Sequence, residues 1–503
     1  MDVPIKKESI IWRIFPARYV LAVLGSIGFA IVYGLKVNLS VAMVGMVNHT
    51  ALKLTARAAV GPRREIHNVK LMSSENECFP SDGDSNATEL DGPFVWSSDV
   101  QGVVLSCYFW GYFISQLPGA RVAELYSAKW VMFFSVLINV VCTLLTPVMC
   151  KLHYAAVVLM RVGEGIGGGV TFPAMHTLLS KWAPPAERSF MASLTYAGTS
   201  LGTVISMLMA GVLTAHVGWE SVFYVMGGLS LIWCVMWVVL IQDSPQQQKM
   251  MTAGERIMIT TALGNTGDPS KKQKLPVPWR AVFTSLPFLA IMVAHVCSNF
   301  GWYTLLIELP FYMKQVLKFK MTQNALAVSL PFFSLWIFSM ILSSSLDWLR
   351  SKSIISTTWA RKIATLIASA VPAVCFCALC YIGCNRSAAV ALMTLAVTCM
   401  GGIFCGFLSS HIDIAPNFAG TLMALTNTVA TIPGIIVPIY VGYVTHDNQT
   451  ISAWRYIFFI PIGLFIVEII VFTCFGTAKE QPWNKPQPVR KPLTSETIRI
   501  TEE

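Results

Sequence analysis

The chain alternates long apolar runs with short polar breaks. Twelve of the runs are long enough to cross the hydrocarbon of a bilayer, which takes about 20 mostly apolar residues. They occupy 19–47, 98–118, 129–150, 154–180, 189–215 and 220–241, and then 284–313, 324–347, 360–383, 387–410, 416–445 and 454–476. A polar connector from Gln242 to Arg280, carrying six lysines or arginines, separates the sixth run from the seventh. Six runs on each side of a basic connector predict two structural repeats. The expected fold is an all-α membrane protein with twelve transmembrane helices in two halves, 19–241 and 284–476. A lead-in (1–18), a linker (242–283) and a tail (477–503) complete the chain. The break from 48 to 97 is polar, mixed in charge and aperiodic, so it reads as flexible. The tail from Thr477, rich in proline and charge, reads likewise.

Composition excludes a soluble domain. The 503 residues are 54% hydrophobic and 12% charged, against about 25% charged in soluble domains. A net charge of +10 would suggest nucleic acid in a soluble protein. Here the placement of the charges sets orientation instead, and no nucleic acid partner is expected. The lead-in is basic and lacks the apolar core and cleavage site of a signal peptide. With both termini cytoplasmic, the inside loops carry Arg121, Lys129, Lys181, Arg188, Arg350, Lys352, Arg361, Lys362 and the linker, while most short outside loops carry one or two cations. The segment Lys314–Lys320 is the exception. Glycosylation patterns at Asn86, Asn385 and Asn448 all fall outside in this arrangement, Asn86 being the best placed. Asn48 also matches but lies too close to the membrane. Most of the thirteen cysteines sit in apolar runs and read as small buried residues. Cys78 and Cys384 both face the outside, and whether they pair is left open. No metal site is expected, because no CxxC pair has matching partners.

The stretch from Arg161 to Ser189 carries the chemistry. Arg161 and Glu164 lie three apart inside an apolar run, so a helix puts them on one face. Ionised groups at that depth are costly and mark function. Gly163, Gly165, Gly167, Gly168 and Gly169 fit a GxGxxG pattern, but no strand precedes them, so they read as a helix-packing surface, as do Gly198 and Gly202. In the first run, Lys36 sits midway along the helix with Tyr33 and Asn38 beside it. Lys36 and Arg161 on facing helices make a cationic site for an anion. Glu164 either neutralises Arg161 or couples a driving cation, sodium or proton; His176 is a second coupling candidate. Glu308 reads as interfacial. An acidic residue followed by basic ones recurs at Glu124–Lys129 and at Asp347–Arg350, in equivalent loops of the halves. With Glu187 and Arg188, these are the candidate gating residues, carboxylates meeting helix N-termini or arginines in one conformation.

Several longer motifs carry a family resemblance. They are Tyr33-Gly-Leu-Lys-Val-Asn-Leu-Ser-Val-Ala42, Phe109-Trp-Gly-Tyr112 with Gln116-Leu-Pro-Gly119, Gly169-Val-Thr-Phe-Pro-Ala-Met-His176, Trp182-Ala-Pro-Pro with Glu187-Arg-Ser189, and Asp413-Ile-Ala-Pro-Asn-Phe-Ala-Gly420. The chain resembles the sodium–phosphate cotransporter, sialin and vesicular glutamate transporter family of the major facilitator superfamily over nearly its whole length. The resemblance implies the major facilitator fold, alternating access and transport of phosphate or organic anions with sodium or protons. It also implies that Lys36 and Arg161 are the family's substrate cations. Two residues that mark vesicular glutamate carriers are replaced here by Leu105 and Ser298. The expected function is therefore secondary-active symport of inorganic phosphate or a small organic anion, by a monomer, without cofactor. The plasma membrane is favoured over an endolysosomal one, where a sialin-like proton-coupled acidic-sugar exporter is the alternative. A non-transporting sensor on the same scaffold is the alternative of another class. An enzyme is not expected, since no nucleophile–base pair appears.

Overall fold

The computed structural model describes residues 16–48, 50–51, 92–263, 276–308, 312, 321–445 and 450–485. Asn86, Asn448, Cys78 and Lys314–Lys320 lie outside them, and of Glu308 only the backbone is described. The apolar runs form helices whose ends are set by the polar breaks. The first half contains α1 (Ala17–Met46), α2 (Ser98–Leu125), α3 (Ala128–Leu152), α4 (Tyr154–Gly169), α5 (Thr171–Trp182), α6 (Arg188–Tyr196), α7 (Gly198–His216) and α8 (Trp219–Leu240). The linker holds α9 (Ala253–Ala262). The second half contains α10 (Leu286–Tyr303), α11 (Met321–Ser351), α12 (Thr357–Leu379), α13 (Arg386–Met400), α14 (Phe407–Ile414), α15 (Ala419–Ala430), α16 (Ile432–Thr445) and α17 (Ile451–Phe475). Side chains of Ser97, Ser127, Ser356, Asn385 and Thr450 accept the free N–H groups of the helices that follow them.

Among the described residues, eleven helical segments are long and apolar enough to cross a membrane. The twelfth expected span is α2, a helix of 28 residues that is too polar to pass on composition. Several of its polar side chains, Tyr112, Gln116 and Glu124 among them, face protein, as shown below. Spans four and five break at Val170 and Ala197, and spans ten and eleven at Gly401–Ile403 and Thr431. The breaks thus fall at corresponding places in the two halves, as repeat architecture requires.

Glycine sets how closely the first half packs. A Cβ on Gly165 would overlap the Tyr108 carbonyl and one on Gly111 the Val162 carbonyl, so α2 and α4 touch backbone to backbone. Gly198 and Gly202 do the same for α7 against Ser26 and Ala30 of α1.

Two polar segments are more ordered than their composition suggests. In the linker, Thr252 caps α9, and the Glu255 carboxylate accepts from the backbone of Ala17 and Arg18 at 3.0 and 3.1 Å. The linker therefore caps the first span. The start of the tail, expected to be flexible, is docked: Gln481 N donates to the Ile414 carbonyl at 2.8 Å, and Asn484 holds Asn417 at 3.0 Å. Trp483 lies against Phe418. Cys384, exposed, is disulfide-bonded. Asn385 is exposed beside it, with its side chain capping α13.

Candidate functional site

One turn of α4 brings Arg161 Nη1 to 2.5 Å from Glu164 Oε2, with both side chains buried. The other Glu164 oxygen accepts from Thr143 of α3 at 2.9 Å. Arg161 Nη2 donates to the Lys36 carbonyl at 3.0 Å, which ties α4 to α1. The Lys36 ammonium lies instead among aromatic rings, 4.6 Å from the centroid of Phe109, 5.2 Å from Tyr108, 5.3 Å from Tyr33 and 5.8 Å from Tyr112. The Arg161 guanidinium is 5.3 Å from the same Tyr108 ring. The two cations are thus neighbours sharing one ring.

Their partners differ in kind. Glu164 cancels Arg161, while Lys36 meets no carboxylate among the described residues and is held only by ring faces. Each such contact is worth about 0.5–2 kcal/mol, and none of them supplies a counter-charge. The ammonium is left able to bind an anion. Tyr33 shares its helix face, three residues away. Asn38, about 200° round the helix from Lys36, does not share that face. It is buried with its amide nitrogen unpartnered.

The halves are sewn together at the end that carries the linker. Glu124, near the end of α2, accepts from the Thr421 backbone N–H and hydroxyl, both at 2.6 Å, and from Arg121 at 2.5 Å. Thr421 stands in the first turn of α15, so a carboxylate of the first half caps a helix of the second. The reciprocal contact is present. Asp347, near the end of α11, accepts from Phe190 N at 2.9 Å in the first turn of α6 and from Arg350 at 2.8 Å. Arg350 also donates to the Pro185 carbonyl at 2.9 Å. Arg188 and Arg361 clamp Asp413 from opposite halves, each at 2.7 Å, and Arg361 reaches Ser189 at 2.7 Å.

Two candidate gating residues lie elsewhere. Lys129 donates to the Val238 carbonyl of its own half at 3.0 Å and to Gln242, the first linker residue, at 3.3 Å. Glu187 pairs with Arg18 at 2.7 Å, whose guanidinium also meets Glu255 of the linker at 3.0 Å. Both stabilise the first half and its linker rather than the seam. His176 is buried on the seam: Tyr196 OH lies 2.6 Å from Nδ1, and Nε2 lies 3.1 Å from the Leu408 carbonyl of the second half. Nδ1 also lies 3.1 Å from the Phe172 carbonyl of its own helix; hydrogen on Nε2 suits the Leu408 carbonyl and leaves Nδ1 to accept from the tyrosine hydroxyl.

Sequence reasoning missed a polar cluster between the cationic site and the latch. Asn427 of α15 donates to Tyr112 OH at 2.8 Å and to Gln116 Oε1 at 2.9 Å, and Gln116 donates to Thr431 at 3.3 Å. The signal was available, since Thr426-Asn-Thr428 interrupts an apolar run. Asp413 and Arg361 were likewise visible, one inside a motif and the other as a loop charge.

The Major Facilitator Superfamily profile matches residues 25–438. Sialin of Homo sapiens is 38% identical over 93% of this chain and 90% of its own length. A Drosophila melanogaster protein provisionally named an inorganic phosphate cotransporter is 36% identical over 97% of this chain and 90% of its own length. Vesicular glutamate transporter 2 of Homo sapiens is 33% identical over 94% of this chain and 76% of its own length. The solved structure of the proton:xylose symporter XylE matches with a TM-score of 0.64 at 12% identity, covering 92% of this chain and 97% of that one. That likeness speaks to the fold alone.

Proposed function

The chain belongs to the Major Facilitator Superfamily, and from that premise we propose that it is a secondary-active symporter of a small anion. The anion is inorganic phosphate or an organic acid, and the two helical halves rock about Lys36. The observation that carries this reading is the unequal pairing of the two neighbouring cations: Arg161 is paired with Glu164, and Lys36, half-buried, meets only ring faces. The names of the relatives, sialin, phosphate cotransporter and vesicular glutamate transporter, agree with an anionic solute. Glu164 is the coupling carboxylate, because Arg161 shares it and an arriving anion competes for the same guanidinium. Sodium or a proton then occupies the freed carboxylate.

The linker end is cytoplasmic, since Arg121, Lys181, Arg188, Arg350 and Arg361 gather there. The contacts at that end describe a state closed to the cytoplasm. The transport unit is a monomer in the plasma membrane.

The test is uptake of phosphate, sialic acid and urate into proteoliposomes under separate sodium and proton gradients. Lys36→Ala abolishes uptake of the transported anion, and Lys36→Arg retains part of it. Full uptake by Lys36→Ala removes the lysine from the site and the reading with it.

A further inference from the structure

Glu468 lies two-thirds along α17, completely buried, and neither of its carboxylate oxygens has a hydrogen-bond partner. The helix packs between α10 and α12 of the second half. From α12 the carboxyl is approached by the Ser369 hydroxyl, whose hydrogen is directed to the Thr365 carbonyl at 2.9 Å. A serine hydroxyl has one hydrogen. With that hydrogen on the Thr365 carbonyl, the serine oxygen is left to accept, and a hydrogen on the carboxyl would complete the contact.

Among the described residues, no nearby cation meets that need. The group facing Glu468 from α10 is the thiol of Cys297. On the same helix His295 is bonded to Thr426 at 3.1 Å. On α12, Arg361 is spent on Asp413 and Lys362 lies over the Trp359 ring. On α17 itself, Arg455 donates to the Cys380 carbonyl at 2.6 Å. Tyr440 of α16 donates to the Tyr456 carbonyl at 3.3 Å. An ionised, unpaired carboxylate at this depth is costly. One serine and one carboxylate also offer too few oxygens to replace the shell of a metal cation.

We propose that Glu468 is a proton-binding site of the second half, in which the neutral acid donates to Ser369, and that its proton is exchanged during the transport cycle. One turn before it, the Phe465 ring fills the space over Gly301 of α10, where a Cβ would overlap the ring. The same α10 reaches α15 through Asn299, which donates to the Ala430 carbonyl at 2.8 Å. The acid is thereby seated against a helix that bears on the seam between the halves. Only the transport arm of the test below rests on the symporter reading.

The full-length protein in liposomes is treated with a hydrophobic carbodiimide, and Glu468 is followed by peptide mass spectrometry. The protonated carboxyl adds across one N=C bond. Its oxygen bonds to the central carbon and its proton passes to nitrogen, and rearrangement gives a stable N-acylurea with nothing expelled. Labelling is expected at acidic pH, falling about tenfold per pH unit once the acid ionises. The infrared carbonyl band of the acid fades over the same range and is absent from Glu468→Gln. Labelling that is equal at every pH overturns the proposal, as does the absence of both label and band. Protection by sodium at fixed pH reassigns the site to the metal ion and overturns it too. In the transport arm, Glu468→Gln keeps uptake down an anion gradient but shifts its pH profile, Glu164 being intact; an unchanged pH profile overturns the role in the cycle. A pH-dependent label in vesicles that carry no anion counts against the symporter reading alone.

Discussion

Replacing Glu124 by glutamine tests the latch, because the substitution keeps the shape of the side chain and removes its charge. Glu124 makes two bonds across the halves, to the Thr421 N–H and hydroxyl, and one to Arg121 within its own half. Glutamine keeps one acceptor for the Thr421 N–H and points an NH2 group where the carboxylate met two donors. The loss is one crossing charge-assisted bond, about 2 kcal/mol, or roughly 30-fold in the balance between closed and open linker ends. Asp347→Asn weakens the reciprocal cap by a similar amount. The two sites share no partner, so the double variant adds to about 4 kcal/mol, near 1000-fold. Cys405 reports the outcome. It is buried behind the latch, and its carbonyl accepts from Arg361 at 2.7 Å. Its alkylation from the linker side therefore proceeds through the opened form and follows that population. A rate at Cys405 in the double variant within threefold of the unsubstituted protein refutes the assignment of these carboxylates as the lock.

Glu164→Gln leaves Arg161 charged and without its partner, so anion binding tightens while the dependence of uptake on sodium and pH is lost; retention of both dependences in proteoliposomes removes Glu164 from coupling. Gly165→Val drives a side chain into the Tyr108 backbone, so the two helices separate and monodisperse protein is lost on size-exclusion chromatography; recovery at normal yield contradicts the packing. Glu255→Ala uncaps α1 and leaves Arg18 with Glu187 alone, a cost of about 1–3 kcal/mol, read as a lower Tm and faster proteolysis of the linker, with the anion selectivity of uptake unchanged.

Membrane helices were legible because hydrocarbon leaves the backbone few choices, and polar breaks such as Ser97, Ser127 and Ser356 punctuate them as caps. The recurrence of Glu124 and Asp347 pointed to a paired device, and the structure supplies its form, each carboxylate capping a helix of the opposite half. What stayed hidden were partners chosen by packing. Nothing in the spacing of Lys129 or Glu187 reveals that each turns back into its own half. The linker and the first tail residues were read as connectors because their composition is polar. Yet Glu255 and Gln481 show that a polar segment is ordered once helix ends offer it unpaired N–H and C=O groups. The arrangement of the two cations also differs from the expectation of a pair facing across space: Lys36 lies among ring faces beside an arginine already paired with Glu164.

That asymmetry gives the site a way to reach the latch. Tyr112 stands at both places: its ring is 5.8 Å from the Lys36 ammonium and its hydroxyl accepts from Asn427. Asn427 belongs to α15, the helix whose first turn Glu124 caps. An anion on Lys36 draws the ammonium off the ring faces, and Tyr112 can follow only by disturbing a buried bond whose loss costs about 1–3 kcal/mol. A change at the cationic site is therefore felt two turns away at Thr421 without any direct contact between anion and latch. Asn427→Ala cuts this connection and leaves both ends intact. In the unsubstituted protein, the transported anion changes the rate of Cys405 alkylation; in Asn427→Ala the rate becomes independent of the anion, while the concentration for half-maximal binding moves by no more than a few fold. If the anion still alters the Cys405 rate in Asn427→Ala as strongly as before, the signal does not pass through Tyr112, and the site and the gate are joined by another route.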